Sequence, residues 1–196
     1  MNGWDARTAL VVVDMQNDFA DPAGSLWVAG AEDVVPVVNR EIAAAVEAGA
    51  FVVATQDWHP ESTPHFAKDG GIWPVHCVGG TWGAELHPDL VLPPDAARVR
   101  KGTNGEDGYS GFTMQDPRTG ETVPTELEAL LRERGTERVA VCGLATDYCV
   151  KATALDAVAL GFATELVDEG HAAVEIAEGD GQRALDELRE AGVVLR

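Results

Sequence analysis

The sequence predicts an α/β fold in which a parallel sheet is covered by helices on both faces. Three observations lead there. Short runs of β-branched and other apolar residues show no polar alternation, as in strands buried on both faces. Helical patterns that stop at glycine lie between these runs. The two kinds of segment alternate along the chain, which is the order of a parallel sheet built from strand–helix units.

The clearest strand is Ala9-Leu10-Val11-Val12-Val13. Phe51 to Ala54, Ala97 to Val99, Arg138 to Val141 and Ala163 to Val167 have the same character, and Val193 to Leu195 is a short last candidate. Helices are predicted over Val35 to Ala48, Thr125 to Glu133, Asp147 to Leu160 and Gln182 to Ala191, each followed within two residues by a glycine. Thr125 and Glu128 have the spacing of a capping box at the second of these. Residues 56–96 and 102–123 break the rhythm and read as long loops, which in a compact domain are usually functional. The first holds four of the five histidines and three of the five tryptophans, a poor composition for disorder. The length suits one domain over 1–196.

Charge narrows the partners. With 33 acidic and 14 basic residues the net charge is −19, so neither a nucleic-acid backbone nor an anionic membrane is expected as a partner. A neutral or cationic small molecule meets no such repulsion. Three cysteines, Cys77, Cys142 and Cys149, cannot all pair within the chain and suit a reducing compartment. The apolar runs are too short to span a bilayer, and Met1 to Thr8 has no signal-peptide pattern. A cytoplasmic location is the expectation; the sequence leaves open whether the protein forms a homo-oligomer.

Ligands of open α/β sheets bind beyond the carboxyl ends of the strands. Asp14, Asp57 and Lys101 follow the first three predicted strands, and Cys149 lies just past the fourth. If Thr146 or Asp147 caps the next helix, the Cys149 thiol sits in its first turn, where the helix dipole favours a thiolate and unpaired N–H groups can receive an oxyanion. A lone cysteine is ordinarily inert packing, and that is the reading for Cys142, inside an apolar run, and for Cys77. Asp14, ending an apolar run, should have a raised pKa and be able to exchange a proton with a thiol. Alone it would read as a turn cap, and Lys101 alone as a solvated cation. A cation beside both groups would hold them as anions.

Asp57, His59, His65 and His76 offer one carboxylate and three imidazoles, a set suited to zinc, manganese or iron and unlike a closed thiolate zinc site. Each histidine alone reads as an ordinary hydrogen-bonded loop residue; the group of them in one loop points to a divalent ion. Among Phe19, Trp58, Trp73, Trp82, Tyr109, Phe112 and Tyr148, some are expected to wall a flat ligand and the others to pack.

The segments Val13-Asp14-Met15-Gln16-Asn17-Asp18-Phe19, Asp57-Trp58-His59-Pro60, Trp73-Pro74-Val75-His76-Cys77-Val78, Lys101-Gly102, Tyr109-Ser110-Gly111-Phe112 and Gly143-Leu144-Ala145-Thr146-Asp147-Tyr148-Cys149-Val150 together resemble the nicotinamidase branch of the isochorismatase-like cysteine hydrolases. The resemblance runs in order from about residue 8 to residue 170. It implies a three-layer α/β/α sandwich around a parallel, doubly wound sheet of about six strands. It implies a catalytic triad of Asp14, Lys101 and Cys149, and an oxyanion hole from the amides of Ala145 and Cys149 behind a cis Leu144–Ala145 bond. It implies one divalent metal ion, zinc first, on Asp57, His59, His65 and His76 with waters completing its shell. The pyridine nitrogen of nicotinamide would bind the ion, and Phe19, Trp73, Tyr109 and Tyr148 would surround the ring. The implied activity is hydrolysis of nicotinamide, and of pyrazinamide, through a cysteine thioester. The rival readings are an amidase for carbamoyl or maleamate-like substrates, which generally lacks the histidine set, an isochorismatase proper, which does not use the cysteine, and a catalytically silent metal- or ligand-binding relative.

Overall fold

Regular structure in the computed structural model, which describes residues 3–196, follows the predicted alternation. In chain order the elements are β1 (Thr8–Val13), α1 (Asn17–Ala20), α2 (Ala31–Glu47), β2 (Phe51–Asp57), β3 (Ala97–Lys101), β4 (Thr113–Gln115), β5 (Thr122–Pro124), α3 (Leu127–Glu133) and β6 (Arg138–Leu144). A π-type turn over Thr146–Val150 then runs into α4 (Lys151–Ala159), followed by β7 (Ala163–Ala172), α5 (Asp180–Glu190) and β8 (Val194–Leu195).

Six strands form one parallel sheet in the order β3-β2-β1-β6-β7-β8, and β4 and β5 make a small antiparallel hairpin apart from it. Alternate residues of each central strand feed two separate cores. Leu10, Val12, Ala54, Ala140 and Cys142 pack with Val34, Val38 and Ile42 of α2. Val11, Val13, Val53, Val139 and Val141 pack with Leu127 and Leu131 of α3, Ala154 and Ala157 of α4, and Leu188 of α5. Both faces are thus covered, which is why the strands read as continuous apolar runs, and the result is the three-layer sandwich. No helix among the described residues is long and apolar enough to cross a membrane.

Two local expectations are corrected. Helix α2 begins at Ala31, a turn before Val35, because Glu32 and Asp33 occupy its first turn, where the helix dipole favours them, and Pro36 is carried inside. The Thr125–Glu128 capping box does not form. The Thr125 hydroxyl donates to Gly111 O and accepts from Leu127 N, while Glu128 pairs with Arg132 one turn on. That exposed pair is worth only about 0.2–0.5 kcal/mol, so the tie to Gly111 sets the start of this helix more firmly than Glu128 does.

Connections leave β1 toward β2 and β3 on one side, and β6 toward β7 and β8 on the other. The strand order therefore reverses between β1 and β6, and the crevice beyond their carboxyl ends is where the architecture places a ligand.

Candidate functional site

Asp14 is the first residue past β1, and both it and Lys101 at the end of β3 are fully buried. The Lys101 ammonium lies 2.7 Å from Asp14 Oδ2, 2.6 Å from Asp57 Oδ1 and 3.6 Å from the Cys149 sulfur, and it also donates to Gly108 O. Register makes this reach possible: Asp57 and Lys101 are direct partners across β2 and β3, so the lysine side chain passes over the end of β2 toward β1. Thr55 fixes Asp14, donating its hydroxyl to Oδ1 at 2.6 Å while accepting from the Asp14 N–H at 3.2 Å. Oxygens of Asp14 and Asp57 and the Cys149 sulfur lie within 4.8 Å of one another.

One ammonium now faces two carboxyls and a thiol. Burial opposes the charge on Lys101, but Asp14 and Asp57 outweigh it and hold the lysine well above its usual range. Burial also pushes both carboxyls up, and Lys101 pulls both down. The balance falls differently for the two. Asp57, with Lys101 and neighbouring histidines beside it, is held below the carboxylate range, whereas Asp14 ends above it. Asp57 is therefore the fixed anion of the pair and Asp14 the one able to take up a proton. For Cys149, burial first and the two carboxyls next raise the thiol well above its usual value despite Lys101. Burial and the two carboxyls thus oppose the pull toward a thiolate expected from the helix turn and Lys101, and Asp14 stands next to the sulfur as a proton acceptor.

Neither expected cap is in place. Thr146 turns its hydroxyl to His171 Nδ1 at 2.9 Å, and the Asp147 carboxyl accepts from the amides of Val174 and Glu175, both at 3.0 Å. Ala145 precedes the π turn, and its carbonyl accepts from the amides of Tyr148 and Val150 at 3.1 and 3.0 Å. The Leu144–Ala145 bond is cis, as the resemblance implies. Cys142 lies on the opposite side of the sheet, its sulfur 3.9 Å from Val11 O, and burial raises its thiol far up. Cys77 is buried against Gly83 O, and its amide donates to Asp18 Oδ2 at 2.7 Å.

On the other side of Asp57, one ring nitrogen from each of His59, His65 and His76 lies within 4.8 Å of the others. Asp57 Oδ2 faces the group, 3.7 Å from His59 Nε2 and 3.9 Å from His76 Nε2, too far for hydrogen bonds. His76 Nδ1 is used by Pro74 O at 2.7 Å and His65 Nδ1 by Asp107 Oδ1 at 2.5 Å, which leaves Nε2 free on both rings. Burial lowers both rings, His76 to about 4 despite Asp57, so each keeps a lone pair at neutral pH. Both nitrogens of buried His59 lack any protein partner. Buried polar atoms are rarely left so. An orphaned imidazole amid two others with free nitrogens and an anionic carboxylate is what a borderline divalent metal ion requires, so these residues fit one. Gly102 is needed here, at φ +75, because a Cβ there would stand 2.7 Å from the His59 ring.

Phe19, Trp73, Tyr109 and Tyr148 line the pocket between the histidines and Cys149. Trp73 donates from Nε1 to the Tyr109 hydroxyl at 2.8 Å and meets Tyr148 edge-on at 4.8 Å between centroids, while Phe19 lies 5.4 Å from His76. Phe112 instead stacks on Phe162 in the core, Trp58 packs under the Arg100 guanidinium, and Trp82 is exposed. A roomier groove at the other end of the sheet, beside Phe51, Val52 and Ala96, has neither histidine nor cysteine in its wall.

Residues 8–196 match the isochorismatase domain. The chain belongs to that family. Within it, the chain is 38% identical over 203 residues to a nicotinamidase of Escherichia coli, with 95% of this chain and 93% of that protein covered. A solved pyrazinamidase of Pyrococcus horikoshii in complex with zinc is 41% identical with a TM-score of 0.86, covering 97% of this chain and 98% of that one. PnC1 of L. infantum in complex with nicotinate is 40% identical with a TM-score of 0.87, covering 98% and 94%.

Sequence reasoning missed several residues around this isochorismatase-family site. Leu26, Val28 and Val174 complete the pocket wall. Gln16 donates from Nε2 to Asp57 O at 2.7 Å and accepts from Asp57 N at 2.8 Å, imitating a strand neighbour for the end of β2. Asp18 anchors the amides of Cys77 and Ser25, and Gly83 must be glycine because a Cβ would fall 2.0 Å from Asp18 Oδ2. Gln16 and Asp18 lie inside the first recognised segment; their polarity between buried neighbours was the available signal.

Proposed function

We propose that this protein hydrolyses nicotinamide to nicotinate and ammonia through a thioester on Cys149, and accepts pyrazinamide by the same route. The observation that carries the reading is a buried thiol, a proton-accepting carboxyl and an ammonium on one wall of an aromatic pocket whose other wall is a group of metal-competent histidines. Among relatives, nicotinamidases match this chain over nearly its full length, which supports an amide of a pyridine as the substrate.

Asp14 accepts the Cys149 proton as the sulfur attacks the carboxamide carbon. Lys101, shared by Asp14, Asp57 and the sulfur, keeps the local charge balanced while the proton moves. The amides of Ala145 and Cys149 receive the oxyanion. Asp14 returns the proton to the departing nitrogen, the C–N bond breaks and ammonia leaves the acyl group on sulfur. A water then attacks the thioester, Asp14 takes its proton, nicotinate departs and the thiol is restored. Asp57, His59, His65 and His76 would hold a divalent ion, with zinc the leading candidate, which would supply Lewis acidity for anchoring a pyridine-type ring. Phe19, Trp73, Tyr109 and Tyr148 hold the ring and exclude water around it. The partner is thus a small neutral molecule.

Ammonia release from nicotinamide, pyrazinamide, maleamate and an N-carbamoyl amino acid tests the reading. Turnover of the first two and little of the others is expected. Preference for maleamate or the carbamoyl compound would replace it.

A further inference from the structure

We propose that Asp107 is the positioning residue that holds His65 in place as a metal ligand; this rests on the reading of the histidine group as a metal centre. The three rings are held in different ways. His76 leans on a carbonyl of its own loop, and His59 is wedged against Gly102 and Phe66. His65 alone of the three hydrogen-bonds to an acidic side chain, with Nδ1 2.5 Å from Asp107 Oδ1.

His65 needs that support, because its backbone is loosely tied. Its N–H reaches Thr63 Oγ1 at 3.3 Å, and its carbonyl accepts from Trp73 N at 3.4 Å, both near the limit of a hydrogen bond. Asp107 is well fixed by comparison. It exchanges both backbone hydrogen bonds with Gln115 of β4, at 2.7 and 2.9 Å, so the β4–β5 hairpin backs it. With Asp107 accepting, Nδ1 carries the proton, Nε2 carries the lone pair and the imidazole becomes a stronger donor.

The next two residues extend the same support. Gly108 O accepts from Lys101 and the Tyr109 hydroxyl accepts from Trp73. Three consecutive residues therefore tie the histidine group, the lysine and the ring pocket to one short segment, and Asp107 is its contact with the histidines.

Zinc affinity of the metal-stripped chain, measured by competition with a chromophoric chelator, tests the proposal in wild type, Asp107→Ala, Asp107→Asn and the half-buried neighbour Glu106→Gln, whose carboxyl turns to Asn104 and not to a histidine. Melting temperatures are taken with and without zinc. Asp107→Ala is expected to weaken zinc binding about 10- to 100-fold. Asp107→Asn should lose less, since its carbonyl still accepts from Nδ1, and Glu106→Gln should bind as wild type does. The zinc-free variants should melt with zinc-free wild type, while the rise on adding zinc shrinks. Wild-type affinity in Asp107→Ala, or in Asp107→Asn should the alanine variant not fold, overturns the proposal. So does a loss matched by an equal fall in zinc-free stability. A wild-type protein that binds no zinc overturns the metal reading itself, and this proposal with it.

Discussion

The two halves of the site are built by different means. Asp14, Lys101 and Cys149 stand at or just beyond the ends of β1, β3 and β6, so the register of a fully hydrogen-bonded parallel sheet delivers them to one point. The histidines come from a long loop with little regular structure, held by side chains from other segments: Gln16 on the Asp57 backbone, Asp18 on the Cys77 amide and Asp107 on the His65 ring. Asp57 belongs to both halves, with Oδ1 on Lys101 and Oδ2 toward the histidines. Under the proposed mechanism the difference teaches that the sheet fixes where the bond is cut and the loop fixes what is held there. Disturbing the first half should stop the chemistry, and disturbing the second should release the substrate.

The largest effect is expected at sulfur. Cys149→Ala should lower nicotinamide turnover by roughly five orders of magnitude, the scale of losing a covalent nucleophile. Cys142→Ala should keep turnover and show only a stability loss of about 0.5–3 kcal/mol, since that thiol packs in the opposite core. Ammonia assays on both variants, with circular dichroism to confirm folding, would break the comparison if the two lost activity alike. Next comes Asp14→Asn, which cannot accept the thiol proton and should lower kcat about 10²- to 10⁴-fold with little change in KM. A variant that mainly raised KM would move Asp14 from the chemical half to the binding half.

Metal removal addresses the second half. Chelation, or His59→Ala, should raise KM for nicotinamide far more than it lowers kcat. Benzamide carries the same amide without a ring nitrogen. It should be a poor substrate from the start and nearly indifferent to chelation. Equal sensitivity of the two amides would show that the histidine half takes part in bond cleavage.

Legibility in the sequence divides along the same line. Ala9 to Val13 and Val139 to Val141 announced buried strands by their unbroken apolar character, and a residue that follows such a strand is at a sheet end whatever the loops do. Asp14 and Cys149 were legible for that reason. That Lys101 also pairs with Asp57 was not, because a long side chain can reach any of several neighbours and only the β2–β3 register decides which. Asp107 gave no sign in a loop of mixed composition; its partner is 42 residues away and the pairing is purely tertiary. Thr146 and Asp147 misled, because helix-capping residues have tertiary partners here, His171 and the Val174–Glu175 backbone.

His171 provides the smallest and most discriminating test of the sheet half. It lies in β7, pairs in register with Gly143, and holds the turn that carries Cys149 through Thr146 Oγ1 at 2.9 Å. Its Nε2 is buried without a partner, and burial lowers the ring from its ordinary 6.5, with only Asp168 pulling the other way. A histidine whose folded pKa lies below its unfolded value binds more protons unfolded than folded. Its neutral form therefore supports the fold above about pH 6.5, and that support is lost as pH falls below this value toward the folded pKa. Melting temperature should accordingly fall between pH 7 and pH 5 in wild type, and by less in His171→Gln, which cannot be protonated. Because the ring touches the turn and not the reacting atoms, turnover at pH 7.5 should change by no more than a few-fold in this variant. Parallel pH–melting curves for the two proteins would show that the turn is anchored without His171. A large loss of turnover at pH 7.5 would mean that the anchored turn, and not the strand ends alone, sets the geometry at sulfur.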